Sequence, residues 1–400
     1  MEHSIIQECL ILQKKNIVFV LNEYNGHGGA QRVASILAND FVADGHNVKI
    51  LSINEQQNQP SYFNDQVEVN VLHEDGYRAP MEKALFPHLK SFKFKVVSKE
   101  LKRRRQLIKS RLKVEKFFDQ FGDEMVYVIV IQVWGMQWLE NLMYRKNIKI
   151  IGQSHESFAA AYNSHRFKRI LKYYKQTAKF LLLTEKDATK FESLGFTNVG
   201  VLHNPTTYRK KQDAKKLWEN KTFISVGRLI EDKGNDLLIE AFNKVKDQLP
   251  GWKLEIYGDG PDHKNLKLLI DIYNLHDRVF LKGRTENALE VYERASILLL
   301  GSKAEGLPMT LIEAQSCSLP CISTDCAPGI KEIINEYETG LLATVGDADQ
   351  FSRHMVRLAK DFNKYEAYSK NAYIESQKFE RNYIKQQWYA LFDEVGVEHE

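Results

Sequence analysis

The segment Glu305-Gly306-Leu307-Pro308-Met309-Thr310-Leu311-Ile312-Glu313 sets two carboxylates astride the start of a helix. Pro308 suits the first helical turn, where its missing N–H costs nothing. The N–H groups of Leu307, Met309 and Thr310 then lie free and form a place for phosphate. Glu305 before the helix and Glu313 in its second turn can accept hydrogen bonds from sugar hydroxyls, one on either side of that phosphate. A dipole-favoured N-terminal acid plus an ordinary surface Glu fits the same spacing. Upstream, Gly227-Arg228 and Lys233-Gly234 follow the apolar run Phe223–Val226 and precede a helix. Cations at such a βα turn point to the C-terminal edge of a sheet, where open α/β folds bind ligands. Together they can neutralise a diphosphate, Arg by its fork and Lys as a point charge, although solvated surface charge also accounts for them.

Weaker signals lie at three more strand ends. Tyr257-Gly258-Asp259-Gly260-Pro261 is a second Gly-rich turn, which needs no ligand to explain it. Gly28-Gly29 permits close backbone approach to phosphate or sugar, or is simply a tight turn. His155, in Gln153-Ser154-His155-Glu156, ends another strand, and a lone histidine is more often structural. Cys317, Cys321 and Cys326 form C-x3-C-x4-C, but the segment reads as helix, strand and loop with no fourth ligand. Small buried thiols explain it better than a metal, and no metal or other cofactor is expected.

These positions need strands and helices in alternation to hold them, and the chain supplies them. Asn16–Leu21 is a continuous apolar run, as in a parallel strand buried on both faces. The helix after Gly29 places Ala30, Val33, Ala34, Leu37, Ala38 and Phe41 on one stripe, and Val48–Ile53 resumes a strand. Further strands are expected at Val67–Leu72, Met125–Val133, Ile148–Gly152, Phe180–Thr184 and Val199–Leu202. After the polar stretch 206–221 a second series begins at Phe223–Val226. It runs through Lys253–Tyr257, Val279–Leu281 and Ser296–Leu300 to Pro320–Thr324, the last clear strand. The class is therefore α/β, with two doubly wound, Rossmann-like parallel-sheet domains facing a cleft. The expected boundaries are 1–205, a linker at 206–221, and 222–381. A terminal helix over 382–398 carries Ile384, Trp388, Leu391 and Val395 on one stripe, and either domain could supply the partner that buries it.

The 400 residues carry a net charge of only +4, too balanced to mark a nucleic-acid binder. Its distribution is uneven: residues 1–205 hold 29 Lys and Arg against 21 Asp and Glu, and the remainder is acidic. Met1-Glu2-His3-Ser4 lacks the basic start of a signal peptide, and no apolar run is long enough to span a bilayer. Four cysteines suit a reducing compartment, so a cytoplasmic protein is expected.

Taken together, GGAQRV (28–33), HNP (203–205), SVGRLIEDKG (225–234), YGDGP (257–261), EGLPMTLIEA (305–314) and PGIKEII (328–334) resemble the family-4 retaining glycosyltransferases, the group 1 glycosyl transferases of GT-B fold. The resemblance implies transfer of a hexose from a nucleotide diphosphate with retention and without metal. It implies that Arg228 and Lys233 hold the diphosphate, that Glu313 takes the ribose hydroxyls and Glu305 the donor sugar, and that the Gly306–Thr310 backbone meets the phosphates. His155 would contact the donor sugar near its reacting carbon. Gly28 and Gly29 would line the cleft, the base, uracil by family habit, would sit near Phe280–Arg284, and the terminal helix 382–398 would cross back to complete the first domain. Three departures stand out: Gln31 where Glu is common, Ser318 where Gly is usual, and Cys326-Ala327-Pro328-Gly329 in place of a Gly-Pro loop.

Two basic-aromatic runs bear on the acceptor. Lys90–Lys116 holds 12 basic residues against two acidic ones, and Arg166–Lys179 includes Tyr173 and Tyr174. Either alone reads as a solvated face; together they suggest an anionic membrane surface and a polyprenyl-diphosphate-linked saccharide acceptor, with nucleic acid set aside. The expectation is a UDP-sugar-dependent enzyme of surface polysaccharide biosynthesis, peripheral on the inner membrane face. The rivals are a soluble acceptor, a nucleotide-sugar epimerase, or an inactive sugar-binding module.

Overall fold

A computed structural model describes residues 13–26, 28–74, 76–77, 80, 94–164, 166–206 and 208–397. The N-terminal tetrapeptide, Cys9, His27 and Lys90–Lys93 lie outside the described residues.

Ile17–Leu21 are sealed from solvent, as an all-apolar strand with layers on both faces requires. This strand, β1 (Asn16–Glu23), joins β2 (Asn47–Asn54), β3 (Glu68–His73), β4 (Val126–Val130), β5 (Ile148–Gln153), β6 (Lys179–Leu182) and β7 (Val199–Val201). They form one seven-stranded sheet in the order β3-β2-β1-β4-β5-β6-β7. A second sheet holds β8 (Thr222–Val226), β9 (Lys253–Tyr257), β10 (Val279–Gly283), β11 (Ile297–Leu300), β12 (Cys321–Thr324) and β13 (Gly340–Ala343), in the order β10-β9-β8-β11-β12-β13. The pairings of β8 with β9 and β11, and of β12 with β11 and β13, are parallel. Each order reverses beside its first strand, so each sheet has a switch point, between β1 and β4 and between β8 and β11.

Every anticipated strand forms. The expectation that Pro320–Thr324 is the last one needs correction, because β13 follows it. Its four residues, Gly-Leu-Leu-Ala, are too few to show a period, and only pairing with β12 makes them a strand.

By its contacts the chain divides into two units. One comprises the residues up to Gly152, Gln176–Ala178 and those from Glu394 on; the other comprises Gln153–Lys175 and Lys179–Asp393. The stretch 206–221 contains a short helix, Ala214–Glu219, started by the Asp213 carboxylate accepting from the Lys216 N–H. The terminal helix, Arg381–Gly396, buries Ile384, Trp388 and Leu391 on the expected stripe and adds Tyr389 and Phe392. Each such side chain contributes roughly 1.5–3 kcal/mol on burial.

From residue 94 onward the first basic run folds as the helix Phe94–Asp119. Val97, Val114 and Phe118 face inward, while Leu101, Ile108 and Leu112 stand 44%, 59% and 59% exposed. Lys102, Arg105, Lys109, Lys113 and Lys116 are exposed beside them. The second run is not such a face. Tyr173, Tyr174 and Arg169 are buried, and Arg166 pairs with Glu156. The aromatic residues that gave this run its surface character belong to the core.

Candidate functional site

The loop after β8 turns through Glu231–Lys233 and closes on Gly234 in the left-handed region, at φ 59°. A Cβ at Gly234 would lie 2.0 Å from the Gly301 carbonyl oxygen, so only glycine lets this turn meet the loop after β11. That approach brings together side chains 72 residues apart: Lys233 Nζ lies 2.6 Å from Glu305 Oε1. The Ser302 hydroxyl donates to the same oxygen at 2.6 Å. Lys233 is 26% and Glu305 10% exposed, a partly dried ion pair at the switch point of the second sheet. Arg228 is exposed on the same loop and has no carboxylate partner among the described residues.

Pro308 stands at the N-cap, at φ −70° and ψ 112°, one residue ahead of its expected place in the first turn. The helix Met309–Ser316 therefore opens with the Met309 and Thr310 N–H groups lacking intrahelical acceptors. Glu313 is not a surface residue. It is 2% exposed, and its Oε2 accepts from the Tyr292 hydroxyl at 2.8 Å. A carboxylate that deep in the fold is costly unless bonded, so the surface-Glu reading of the sequence does not hold.

Gly306 packs on another segment of the same unit, where a Cβ would lie 2.2 Å from the His155 carbonyl oxygen. His155 itself is half-buried, and its Nε2 is sealed and without a partner. Burial pushes its pKa down to about 4, so the ring is neutral at pH 7. The structure thus brings Lys233 and Glu305 into contact and sets Gly306 against the His155 backbone. Leu307, Met309, Thr310 and Glu313 follow on the same segment.

Arg284 does not join this group. It follows the edge strand β10, is exposed, and lies 3.6 Å from an equally exposed Asp259. Gly28 and Gly29 belong to the other unit. Gly28 caps the helix Gly29–Ala43, and a Cβ there would lie 2.1 Å from the Gln31 side chain, whereas Gly29 has open space.

Sequence reasoning missed Ser302 and Tyr292, and took Cys326 only as a small buried thiol and part of a loop departure. The Cys326 thiol is half-buried, and its pKa is pushed up to about 11 by burial and by the charge of nearby Glu305. Ser302 at three residues before Glu305 left a faint signal; nothing in spacing links Tyr292 to Glu313. Cys317 and Cys321 are buried thiols, and among the described residues no cluster has the makings of a metal site.

Residues 208–375 match the model of the family described as glycosyl transferases group 1. Across 381 residues the chain is 30% identical to an uncharacterized glycosyltransferase of Haemophilus influenzae, covering 94% of this chain and 99% of that one. The chain belongs to the group 1 glycosyltransferases. It is also 35% identical to the lipopolysaccharide 1,6-galactosyltransferase of Escherichia coli, over 39% of this chain and 44% of that enzyme. Among solved structures, Anabaena HepE in complex with UDP superposes with a TM-score of 0.74 at 16% identity, over 95% of this chain and 100% of that one. The two doubly wound sheets of this group 1 glycosyltransferase are those of the GT-B fold.

Proposed function

We propose that this group 1 glycosyltransferase moves a sugar from a nucleotide diphosphate, UDP by preference, to a lipid-linked saccharide in surface polysaccharide assembly, with retention at the anomeric carbon. The observation that carries the reading is the Lys233–Glu305 pair at the switch point of the second sheet, with Arg228 exposed on the same loop and without a carboxylate partner among the described residues. Two cations there suit a diphosphate, and a carboxylate beside them suits the hydroxyls of the attached sugar. The buried, oriented Glu313 suits the two ribose hydroxyls. HepE supports the choice of UDP, and the lipopolysaccharide galactosyltransferase supports the choice of pathway class.

In the reaction the bond from the sugar C1 to the diphosphate oxygen breaks, and the acceptor oxygen bonds to C1 on the same face. The acceptor proton passes to the departing diphosphate, which the reading makes the base. Negative charge grows on that diphosphate, and Lys233 and Arg228 stabilise it by about 3 kcal/mol for one such group, in place of a metal. The neutral His155 ring stands by the sugar without adding a second positive charge to a carbon that is itself becoming cationic.

For the membrane side, among the described residues no helix is long and apolar enough to cross a bilayer. The outward face of Phe94–Asp119 has the composition of an interfacial one: Leu101, Ile108 and Leu112 for the headgroup boundary, with five cations around them. UDP release on adding a purified polyprenyl-diphosphate-linked saccharide tests the reaction. Release only with a soluble acceptor overturns the lipid assignment, and release in Lys233→Ala at the wild-type rate overturns the site. Binding to anionic vesicles should weaken as salt rises; salt-independent binding overturns the electrostatic part.

A further inference from the structure

Gln153 is the last residue of β5 and only 1% exposed, yet neither atom of its carboxamide has a hydrogen-bond partner. Two residues on, the His155 Nε2 is likewise sealed and unpartnered. Between them the Ser154 N–H donates to the Leu181 carbonyl at 3.0 Å, so the chain keeps its pairing with β6 past the end of β5. Alternation therefore sends Gln153 and His155 out on one side, roughly 7 Å apart along the chain. A glutamine side chain reaches that far.

A buried amide with no partner is destabilising, and an apolar side chain of the same size would hold the strand end better. The neighbouring charges do not supply the missing bonds. Glu156 is engaged by Arg166, and Glu305 by Lys233 and Ser302. A second sealed polar atom without a partner at this end of β5 is the imidazole Nε2. We propose that Gln153 is a positioning residue for His155: when the donor sugar is bound, its carboxamide oxygen accepts the Nε2–H, fixing the tautomer and ring angle and leaving Nδ1 for the substrate. The inference rests on the reading of His155 as part of the transfer site.

Gln153→Leu, Gln153→Glu and His155→Ala separate the possibilities, each assayed for UDP release and for melting temperature. Nitrogen-15 spectra of the histidine rings, with and without UDP-sugar, report the tautomer. Gln153→Leu should melt at or above the wild-type temperature, lose about tenfold in kcat with donor KM within about twofold, and lose the ligand-induced tautomer signal. Gln153→Glu sets a carboxylate beside the ring, and the acid limb of kcat should move up by about one pH unit or more. A merely structural glutamine would move neither the tautomer nor that limb. Wild-type kcat and an unchanged tautomer signal in Gln153→Leu overturn the inference; should that variant fail to fold, an unmoved acid limb in Gln153→Glu does the same. If His155→Ala keeps its turnover, the site reading itself is wrong and this inference falls with it. If His155→Ala is inactive while both Gln153 variants behave as wild type, only the positioning role is lost.

Discussion

Replacing Glu305 with glutamine should change two quantities in opposite directions. In the unliganded protein the Lys233 ammonium is held 2.6 Å from the Glu305 carboxylate, so an arriving diphosphate competes with a partner already in place. Glutamine keeps the shape and can still accept the Ser302 hydroxyl, but it gives up the charge. At 26% and 10% exposure the pair lies between fully exposed pairs, worth up to ~1 kcal/mol, and buried ones, whose breaking costs about 3–5 kcal/mol. Releasing about 1–2 kcal/mol of attraction corresponds to UDP binding about 5- to 30-fold tighter in Glu305→Gln. Turnover should fall, because a charge-assisted bond to the donor sugar, about 1.5–3 kcal/mol, is lost; that is about 10- to 150-fold in kcat/KM. Titration calorimetry with UDP gives the first number and a coupled UDP-release assay the second. Lys233→Ala should weaken UDP in both backgrounds and abolish the difference between them. Weaker binding of UDP to Glu305→Gln than to wild type would refute the competition argument, whatever happens to turnover.

Tyr292→Phe removes the bond to a buried carboxylate and should cost about 1.5–3 kcal/mol, a drop of several degrees in melting temperature, while raising donor KM and sparing kcat. Gly234→Ala places a Cβ 2.0 Å from a carbonyl oxygen in a left-handed turn, and should destabilise by more than about 2 kcal/mol and displace Lys233. Gly227→Ala, with nothing within 4 Å of its Cβ, is the matched control and should melt within about 2 °C of wild type. The folded-state pKa of His155, about 4, lies below the ordinary 6.5, so its contribution to stability is complete above pH 6.5 and is lost as pH falls toward 4. Urea unfolding at pH 7 and pH 5 should show a smaller pH effect in His155→Phe than in wild type; equal effects would place the titration elsewhere.

The strands were legible because a parallel sheet buries both faces of its strands, and Asn16–Leu21 or Phe223–Val226 can be nothing else in so polar a chain. Lys233, Glu305 and Glu313 were legible as types at strand and helix ends. That the first two pair with each other was not, since the contact spans 72 residues and depends on Gly234 meeting Gly301. Tyr292 was hidden for the same reason: an aromatic on a short helix looks like core until the carboxylate it serves is found. The tyrosines at 173 and 174 misled in the opposite sense, because flanking lysines made a buried pair resemble a wet face. Ser318, where the family usually has glycine, keeps the glycine conformation at φ 63°, with its hydroxyl accepting from the Gln212 N–H. The departure in sequence leaves the turn intact.

The loops at the ligand-binding edge of the second sheet meet backbone to backbone. A Cβ at Gly258 would lie 1.7 Å from the Gly227 oxygen, one at Gly301 2.4 Å from the Gly234 oxygen, and one at Gly329 1.9 Å from the Gly306 oxygen. A surface assembled this way has little freedom to be reshaped by lengthening or re-routing a loop, since each loop is the wall against which the next one rests. New donor preferences, natural or engineered, then have to come from side chains that project from a fixed frame. Cys326, half-buried near Glu305, is the residue on this frame where a library should begin, and the glycines are the ones it should leave alone.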